Sequence, residues 1–191
     1  MHAAGAAMVA YYYFDFRDVK KQDCYGLLSS LISQLSAQSG SCYNILSRLY
    51  SDNGCGTRVL DIGALKKCMK DMLGLPGQGP IYIIVDALDE CPNSLGIPTA
   101  REEVLKLLSE LGRLDLPNLH LCVASRPEID IRDVLEPLTF QIVSLHEQSG
   151  HAKDIADYIA SVVISDSRMR RWRMEDRELV IAVLSQRADG M

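Results

Sequence analysis

Hydrophobic positions along the chain follow two kinds of pattern, and each kind predicts a different secondary structure. Short runs rich in apolar, aromatic and β-branched residues predict β-strands, and they lie at 8–16, 81–85, 119–124 and 139–145. Apolar residues spaced three or four positions apart predict amphipathic helices. Three of these helices span 42–51, 61–73 and 100–114, and helical patterns also begin at 23 and at 150. Asp61 is placed to cap the N-terminus of the helix at 61–73. A turn and a short helix are predicted at 125–135.

Strands that alternate with helices predict an α/β fold, in which right-handed crossovers build a parallel sheet. The second and third runs lack polar alternation, which is typical of strands with both faces buried. We therefore expect five of their residues to lie in the core: Ile83, Ile84, Val85, Leu121 and Val123. The pattern becomes wholly helical near residue 146, so 1–145 is predicted to be the α/β core and 146–191 the start of a helical subdomain.

The composition is that of a globular protein and argues against several classes of partner. The 191 residues are 48% hydrophobic and 24% charged, with a net charge of -5. An acidic balance gives no support for binding to nucleic acid or to an anionic membrane. No apolar run approaches the ~20 residues that a transmembrane helix requires, and the opening segment MHAAGAAMVA lacks the basic start of a signal peptide. We therefore expect no nucleic acid and no membrane among its partners. The cysteines, interpreted below as reduced thiols, predict a cytoplasmic protein.

Cysteine and histidine residues form no metal-binding or catalytic motif. The six cysteines contain no CxxC pair, and we interpret them as reduced, mostly buried thiols. None of the four histidines has HExxH spacing, and Ser125 lies in ASRP rather than in GxSxG. The arginine-rich segment RMRRWRM (168–174) has a nucleic-acid patch as one interpretation, but the acidity of the chain favours a solvated helix end or a contact with another domain.

Three carboxylates follow the apolar run at 81–85. Asp86 ends the predicted strand, and Asp89 and Glu90 come three and four residues later. Open α/β sheets bind their ligands at the carboxyl ends of the strands, so these acids mark a candidate site. A strand-end Asp can hold Mg²⁺ beside a nucleotide, a nearby acid can orient a water molecule, and a divalent cation relieves repulsion among the acids. The alternative is that Asp89 and Glu90 simply cap the next turn.

The segment IYIIVDALDEC (81–91) resembles the extended Walker B motif of NACHT-type NTPases, a branch of the STAND class of signal-transduction ATPases. LHLCVASRPEIDI (119–131) is similar to the following strand of these proteins, which ends in the sensor 1 arginine. YYYFDFRD, LLSSLISQL and DIADYI match the surrounding pattern of the fungal, nephrocystin-like branch. The resemblance covers nearly the whole chain and implies a P-loop NTPase core built on a parallel sheet.

The resemblance also implies a role for each candidate site residue. Asp86, in the Walker B segment 81–90, corresponds to the acid that binds Mg²⁺ and through it the nucleotide. Asp89 and Glu90 correspond to the pair linked to water activation. Arg126, in the sensor 1 segment 119–127, corresponds to the residue that contacts the γ-phosphate. The alternative is that Arg126 is an ordinary turn residue before Pro127. In such proteins Mg²⁺ with ATP or ADP is the cofactor, and nucleotide exchange controls self-oligomerisation and contacts with protein partners.

The phosphate-binding loop of the family, GxxxxGK[ST], does not occur in the 191 residues. Its backbone N–H groups and lysine normally hold the phosphates. We therefore expect an N-terminally truncated core, from a larger switch protein or a truncated gene product, that does not hydrolyse nucleotide by itself. One alternative is a non-catalytic module that binds protein partners. A P-loop kinase is a further alternative, which the DALDE pattern disfavours.

Overall fold

Three parallel strands form the sheet, in the order β1 (Met8–Tyr13), β2 (Ile81–Asp86) and β3 (Leu119–Val123). The computed structural model describes residues 7–53, 60–94, 96–139, 141–144 and 149–187. Met8 lies opposite Ile81 and Ile81 opposite Leu119, so the strands are aligned from their first residues. Because all three run in the same direction, their carboxyl ends lie at one edge of the sheet. The predicted α/β fold class is confirmed.

The helices of the described residues occupy the positions that the hydrophobic spacing predicts. They are α1 (Cys24–Gln38), α2 (Gly40–Asp52), α3 (Ile62–Leu73), α4 (Ala100–Gly112), α5 (Ile129–Leu135), α6 (Ser149–Ser165) and α7 (Met174–Arg187). Asp61 caps α3 as predicted, with its carboxylate accepting the Ala64 amide at 2.7 Å. The chain divides into two compact units, residues 1–139 with the sheet and residues 140–191 with α6 and α7.

One face of the sheet packs against helices and forms the core. On β1 and β2 the residues that point to this face are all buried: Met8, Ala10, Tyr12, Ile81, Ile83 and Val85. The apolar faces of α1, α3 and α4 complete the same cluster. On α1 the buried residues recur at helical spacing: Leu27, Leu28, Leu31, Ile32 and Leu35. Burial of apolar surface, at about 25 cal/mol per Å², therefore fixes which face of each strand turns inward.

The opposite face of the sheet is open, which contradicts the prediction that Ile84 lies in the core. Ile84 is 37% exposed. The side chains of Val9, Tyr11, Tyr13 and Tyr82 on the same face have larger exposed fractions, the largest being 52% for Tyr13. Leu121 and Val123 are half-buried rather than buried, whereas Ile83 and Val85 are buried as predicted. Among the described residues of the first unit, helices cover the sheet from one side only, so alternate residues of each strand are left uncovered by that unit.

The prediction of a strand at 139–145 is wrong for the residues of that segment that the structure describes. Residues 141–144 form no strand, and Ile142 and Val143 are exposed, while Phe140 and Leu145 lie outside the described residues. No described strand runs beside this segment, so it lacks the ladder of hydrogen bonds that stabilises an extended chain. An apolar run alone therefore did not suffice to form a strand.

Two glutamine side chains close the outer edge of β1. The Gln38 amide donates to the Val9 carbonyl at 2.7 Å and accepts from the Val9 N–H at 3.0 Å. Gln34 makes the same pair of bonds with Tyr11, at 2.7 and 3.0 Å. Each side-chain amide therefore replaces one residue of a missing neighbouring strand. Unpaired strand edges are templates for aggregation, and this arrangement satisfies the edge from within the chain.

The cysteines of the described residues are free, and most are buried, as predicted. Cys24, Cys42, Cys68 and Cys91 are buried and Cys122 is exposed, while Cys55 lies outside the described residues. None of the described helices is both long enough and apolar enough to cross a membrane.

Replacing Ile83 by Asp is expected to lower the free energy of unfolding by more than about 3 kcal/mol, because it buries an unpaired charge. The same change at Ile84 is expected to cost about 1 kcal/mol or less, because the side chain faces solvent. Urea unfolding followed by circular dichroism measures both. Equal losses in the two variants would contradict the assignment of Ile84 to an open face.

Alkylation of thiols should follow burial. Burial raises the pKa of Cys24 and Cys91 to about 12 and that of Cys68 to about 11, and the thiolate is the reactive form. At pH 8 iodoacetamide is therefore expected to label Cys122 in the folded chain and to spare these three until guanidinium unfolds it. Peptide mass spectrometry gives the label at each site, and rapid labelling of Cys24 without denaturant would overturn the assignment.

Candidate functional site

The candidate site lies where β2 and β3 end side by side. Val85 pairs with Val123 in the parallel ladder, and the Ala124 amide donates to the Val85 carbonyl at 2.8 Å. Asp86 is the next residue of β2, and the segment that carries Arg126 follows β3 directly. The prediction that these two strands are parallel neighbours is confirmed, and it brings the acidic turn and Arg126 to one rim of the sheet.

A tight turn after β2 directs the acids outward. Ala87 has a left-handed backbone with φ of 53°, and Leu88–Glu90 form a short 3₁₀ helix. Leu88 is fully buried, and its amide donates to the Ala124 carbonyl at 3.2 Å. The buried leucine anchors the turn in the core, and Asp89 and Glu90, which follow it, are half-buried at the rim.

Asp89 links the two strand ends. Its Oδ1 accepts the backbone amide of Arg126 at 3.1 Å and lies 3.4 Å from the Ser125 hydroxyl. Its Oδ2 lies 3.4 Å from Nε of Arg126. The Asp89 side chain is 12% exposed and that of Arg126 83% exposed. The carboxylate is therefore fixed mainly by the backbone of the β3 loop, and most of the Arg126 guanidinium remains accessible to a second anion.

Glu90 points toward the loop after β1. Its Oε2 accepts the Phe16 amide at 3.1 Å, so the acidic turn is tied to a second neighbouring loop. An open cleft of about 410 Å³ lies between the three loops, and its lining includes Phe16, Asp89, Glu90, Arg101, Arg126 and Glu128. Asp89, Glu90 and Arg126 are thus brought together around one cleft, whose lining does not include Asp86.

Asp86 suits Mg²⁺ only as part of a larger coordination shell. Its Oδ1 accepts the Ala87 amide at 2.8 Å, which leaves Oδ2 as a candidate ligand. The described residues hold no group of three His, Cys, Asp or Glu side chains placed to bind a metal ion by themselves. Mg²⁺ usually keeps several waters and is bound through one or two carboxylates together with substrate phosphates. The residues therefore fit a magnesium–nucleotide complex better than a free ion.

Arg101 is a site residue that the sequence analysis did not identify. It lies in the first turn of α4, and its guanidinium contacts both the acidic turn and the segment after β3. Burial lowers the pKa of this guanidinium, but the hydrogen bond to Glu128 and the attraction of Glu128 and Asp130 outweigh burial and raise the pKa. Arg101 therefore stays charged, as arginine side chains do in proteins.

These features define an α/β protein with an acidic turn and an arginine at the carboxyl ends of two neighbouring parallel strands. Residues 1–126 match the model of the family described as Nephrocystin 3, N-terminal. The match spans well over half of the chain, and the chain belongs to this family. No curated protein and no solved structure matches the chain.

Family membership bears out the nephrocystin-like part of the resemblance and leaves its finer parts untested. The assignment to NACHT-type ATPases, the fungal branch and the domain boundary at residue 146 stay predictions. The roles of Asp86, Asp89, Glu90 and Arg126 also stay predictions, although three of these side chains lie around one cleft.

Asp89→Ala is expected to lower the free energy of unfolding by about 1 to 3 kcal/mol, because it removes charge-assisted hydrogen bonds. Arg126→Ala is expected to cost less than about 1 kcal/mol, because that side chain is exposed and its backbone amide stays bonded. Urea unfolding of both variants measures the difference. A larger loss from Arg126→Ala would show that the ion pair, not the backbone bond, holds the loops together.

Proposed function

We propose that the chain supplies the magnesium- and water-organising part of a NACHT-type NTPase module, in which exchange of ADP for ATP controls oligomerisation and signalling. The observation that carries the proposal is the rim itself, where two parallel neighbours end in Asp86 and in the loop of Arg126, joined through Asp89. Membership of the nephrocystin 3 N-terminal family supports it, as does the DALDE segment. Free, buried thiols favour a cytoplasmic location.

Each residue of the rim has one role in this proposal. Asp86 would hold Mg²⁺ through its carboxylate, and the ion would supply charge neutralisation at the phosphates. Glu90 and Asp89 orient the water molecule that attacks the γ-phosphate. Arg126 turns from Asp89 to the γ-phosphate, which its exposure and the single 3.4 Å contact permit. Asp89 then keeps the backbone amide of Arg126 as its partner, so the loop stays in place while the guanidinium moves.

A second candidate function is a non-catalytic module that binds protein partners. The open face of the sheet favours it, because four aromatic or aliphatic side chains there are at least 40% exposed: Val9, Tyr11, Tyr13 and Tyr82. Contiguous exposed apolar surface of this kind is typical of interaction sites. The absence of a GxxxxGK[ST] motif from the 191 residues favours it too.

The 191-residue chain is expected to bind ADP weakly and to hydrolyse no ATP, because nothing in its sequence provides a phosphate-binding loop. Titration of a fluorescent ADP analogue, with Mg²⁺ present, measures the affinity. The same titration is made on a version with a strand–GxxxxGKS–helix segment fused ahead of Met1. That version is expected to bind in the micromolar range, and Asp86→Asn in it is expected to weaken binding with Mg²⁺ but not without.

Circular dichroism and thermal melts establish that each version is folded. A folded fusion that binds no nucleotide would refute the NTPase proposal and leave the interaction module. Micromolar binding by the 191-residue chain, lost in Asp86→Asn, would keep the proposal and show that other groups, such as Lys20 or Lys21, hold the phosphates.

A further inference from the structure

Arg101 places a buried positive charge at the N-terminal end of a helix, where the helix dipole disfavours cations. It lies in the first turn of α4, near the positive end of the helix dipole, and its side chain is 7% exposed. Removing a guanidinium from water carries a large free-energy penalty, which only well-placed partners offset. A lysine or glutamate on the outer surface of α4 would bear no such cost. The contacts of Arg101 therefore indicate what its burial achieves.

The donors of Arg101 are divided between two loops. Nε donates to the carbonyl of Cys91 at 2.8 Å, and Nη2 donates to the carbonyl of Asp89 at 2.6 Å, both in the turn after β2. Nη1 donates to the carboxylate of Glu128, and to that of Asp130 at 3.3 Å, both in the segment after β3. One rigid guanidinium plane thus spans the two neighbouring strand ends.

Both anchor points lie next to the Asp89–Arg126 contact. The carbonyl bound by Arg101 belongs to Asp89, whose own carboxylate accepts the Arg126 amide. Glu128 follows Arg126 after Pro127, and the Glu128 amide donates to the Arg126 carbonyl at 2.8 Å. Proline fixes its own φ, so displacement of Glu128 is passed on to Arg126. The Arg101 guanidinium therefore restrains both Asp89 and the loop that carries Arg126, without a hydrogen bond to the side chain of either residue.

A second set of bonds fixes the helix end that carries Arg101. Asn93 donates to Asp130 at 3.0 Å and accepts from the Thr99 hydroxyl at 3.0 Å. Thr99 is the N-cap of α4, and it forms a capping box with Glu102. The first turn of α4 is thereby tied to the same segment after β3 that Arg101 binds.

We propose that Arg101 is a positioning residue, which sets the placement of Asp89 relative to Arg126 by holding both loops on one guanidinium. Its meaning for catalysis rests on the proposed function, but the placement itself does not depend on nucleotide. Lysine is not expected to replace it, because a single ammonium cannot reproduce the fork of donors that reaches two carbonyls and two carboxylates.

The test compares three variants of the 191-residue chain with a matched control. Arg101→Lys keeps the charge, and Arg101→Met keeps much of the volume. Glu128→Gln keeps an acceptor oxygen but removes the negative charge of a partner that is 43% exposed and therefore tolerant of change. The control is Arg132→Met on α5, which breaks an exposed ion pair with Glu136, just beyond the end of that helix. Solvent exchange of the Arg126 amide, measured by NMR, reports on the β3 loop. Alkylation of Cys91 relative to Cys24 reports on the turn after β2.

In both Arg101 variants we expect exchange at Arg126 to rise about tenfold, as for loss of charge-assisted hydrogen bonds, and Cys91 labelling to rise relative to Cys24. Glu128→Gln should raise exchange at Arg126 with a smaller effect on Cys91, and Arg132→Met should change neither.

A purely stabilising role would raise exchange and labelling at all sites by the same factor, including the β3 ladder amide of Cys122. That result, or an unchanged Arg126 amide in folded Arg101→Lys, overturns the proposal. Neither readout uses nucleotide, so a failed NTPase assay leaves it intact.

Discussion

The parallel pairing of β2 with β3 is the constraint on which the candidate site depends. Parallel strands end at the same edge of a sheet, so the acidic turn and the Arg126 loop become neighbours as soon as the ladder forms. A slip of one residue would turn Ile83 and Val85 away from the helices. The burial of these two side chains fixes the register of β2. The hydrophobic core therefore determines where the polar groups of the rim stand.

Local signals in the sequence predicted most of the elements, and the errors arose where distant elements decide. The cap at Asp61 and the helical spacing of α1 depend on residues a few positions apart, and both predictions are confirmed. The prediction for Ile84 was wrong because an unbroken apolar run does not reveal what covers each face. The outward positions of β2 are themselves apolar, so the alternation between buried and exposed residues is invisible in the sequence. The apolar run at 139–145 likewise gave no information about whether a neighbouring strand was present to pair with it.

Arg101 shows the same limit for the site. Its position does carry a signal, since it lies three and four residues before Val104 and Leu105 on the buried stripe of α4. A charge on such a stripe predicts a buried partner without identifying it. The partners Glu128 and Asp130 lie 27 and 29 residues further along the chain, and only the β2–β3 ladder brings them near. The role of Arg101 is therefore a property of the fold rather than of any motif.

The two edges of the sheet are not equivalent, and the difference bears on both candidate functions. Gln34 and Gln38 satisfy the backbone of β1, so a further strand joining there would have to displace four hydrogen bonds. Among the described residues, none makes a comparable set of bonds to the outer edge of β3. The sheet can therefore be extended more easily at β3 than at β1. Whatever segment or partner paired there would lie beside the loop that carries Arg126. In the proposed function, strand pairing at β3 would therefore be coupled to the chemistry at the rim, because the same Asp89 and Arg101 contacts hold that loop in place.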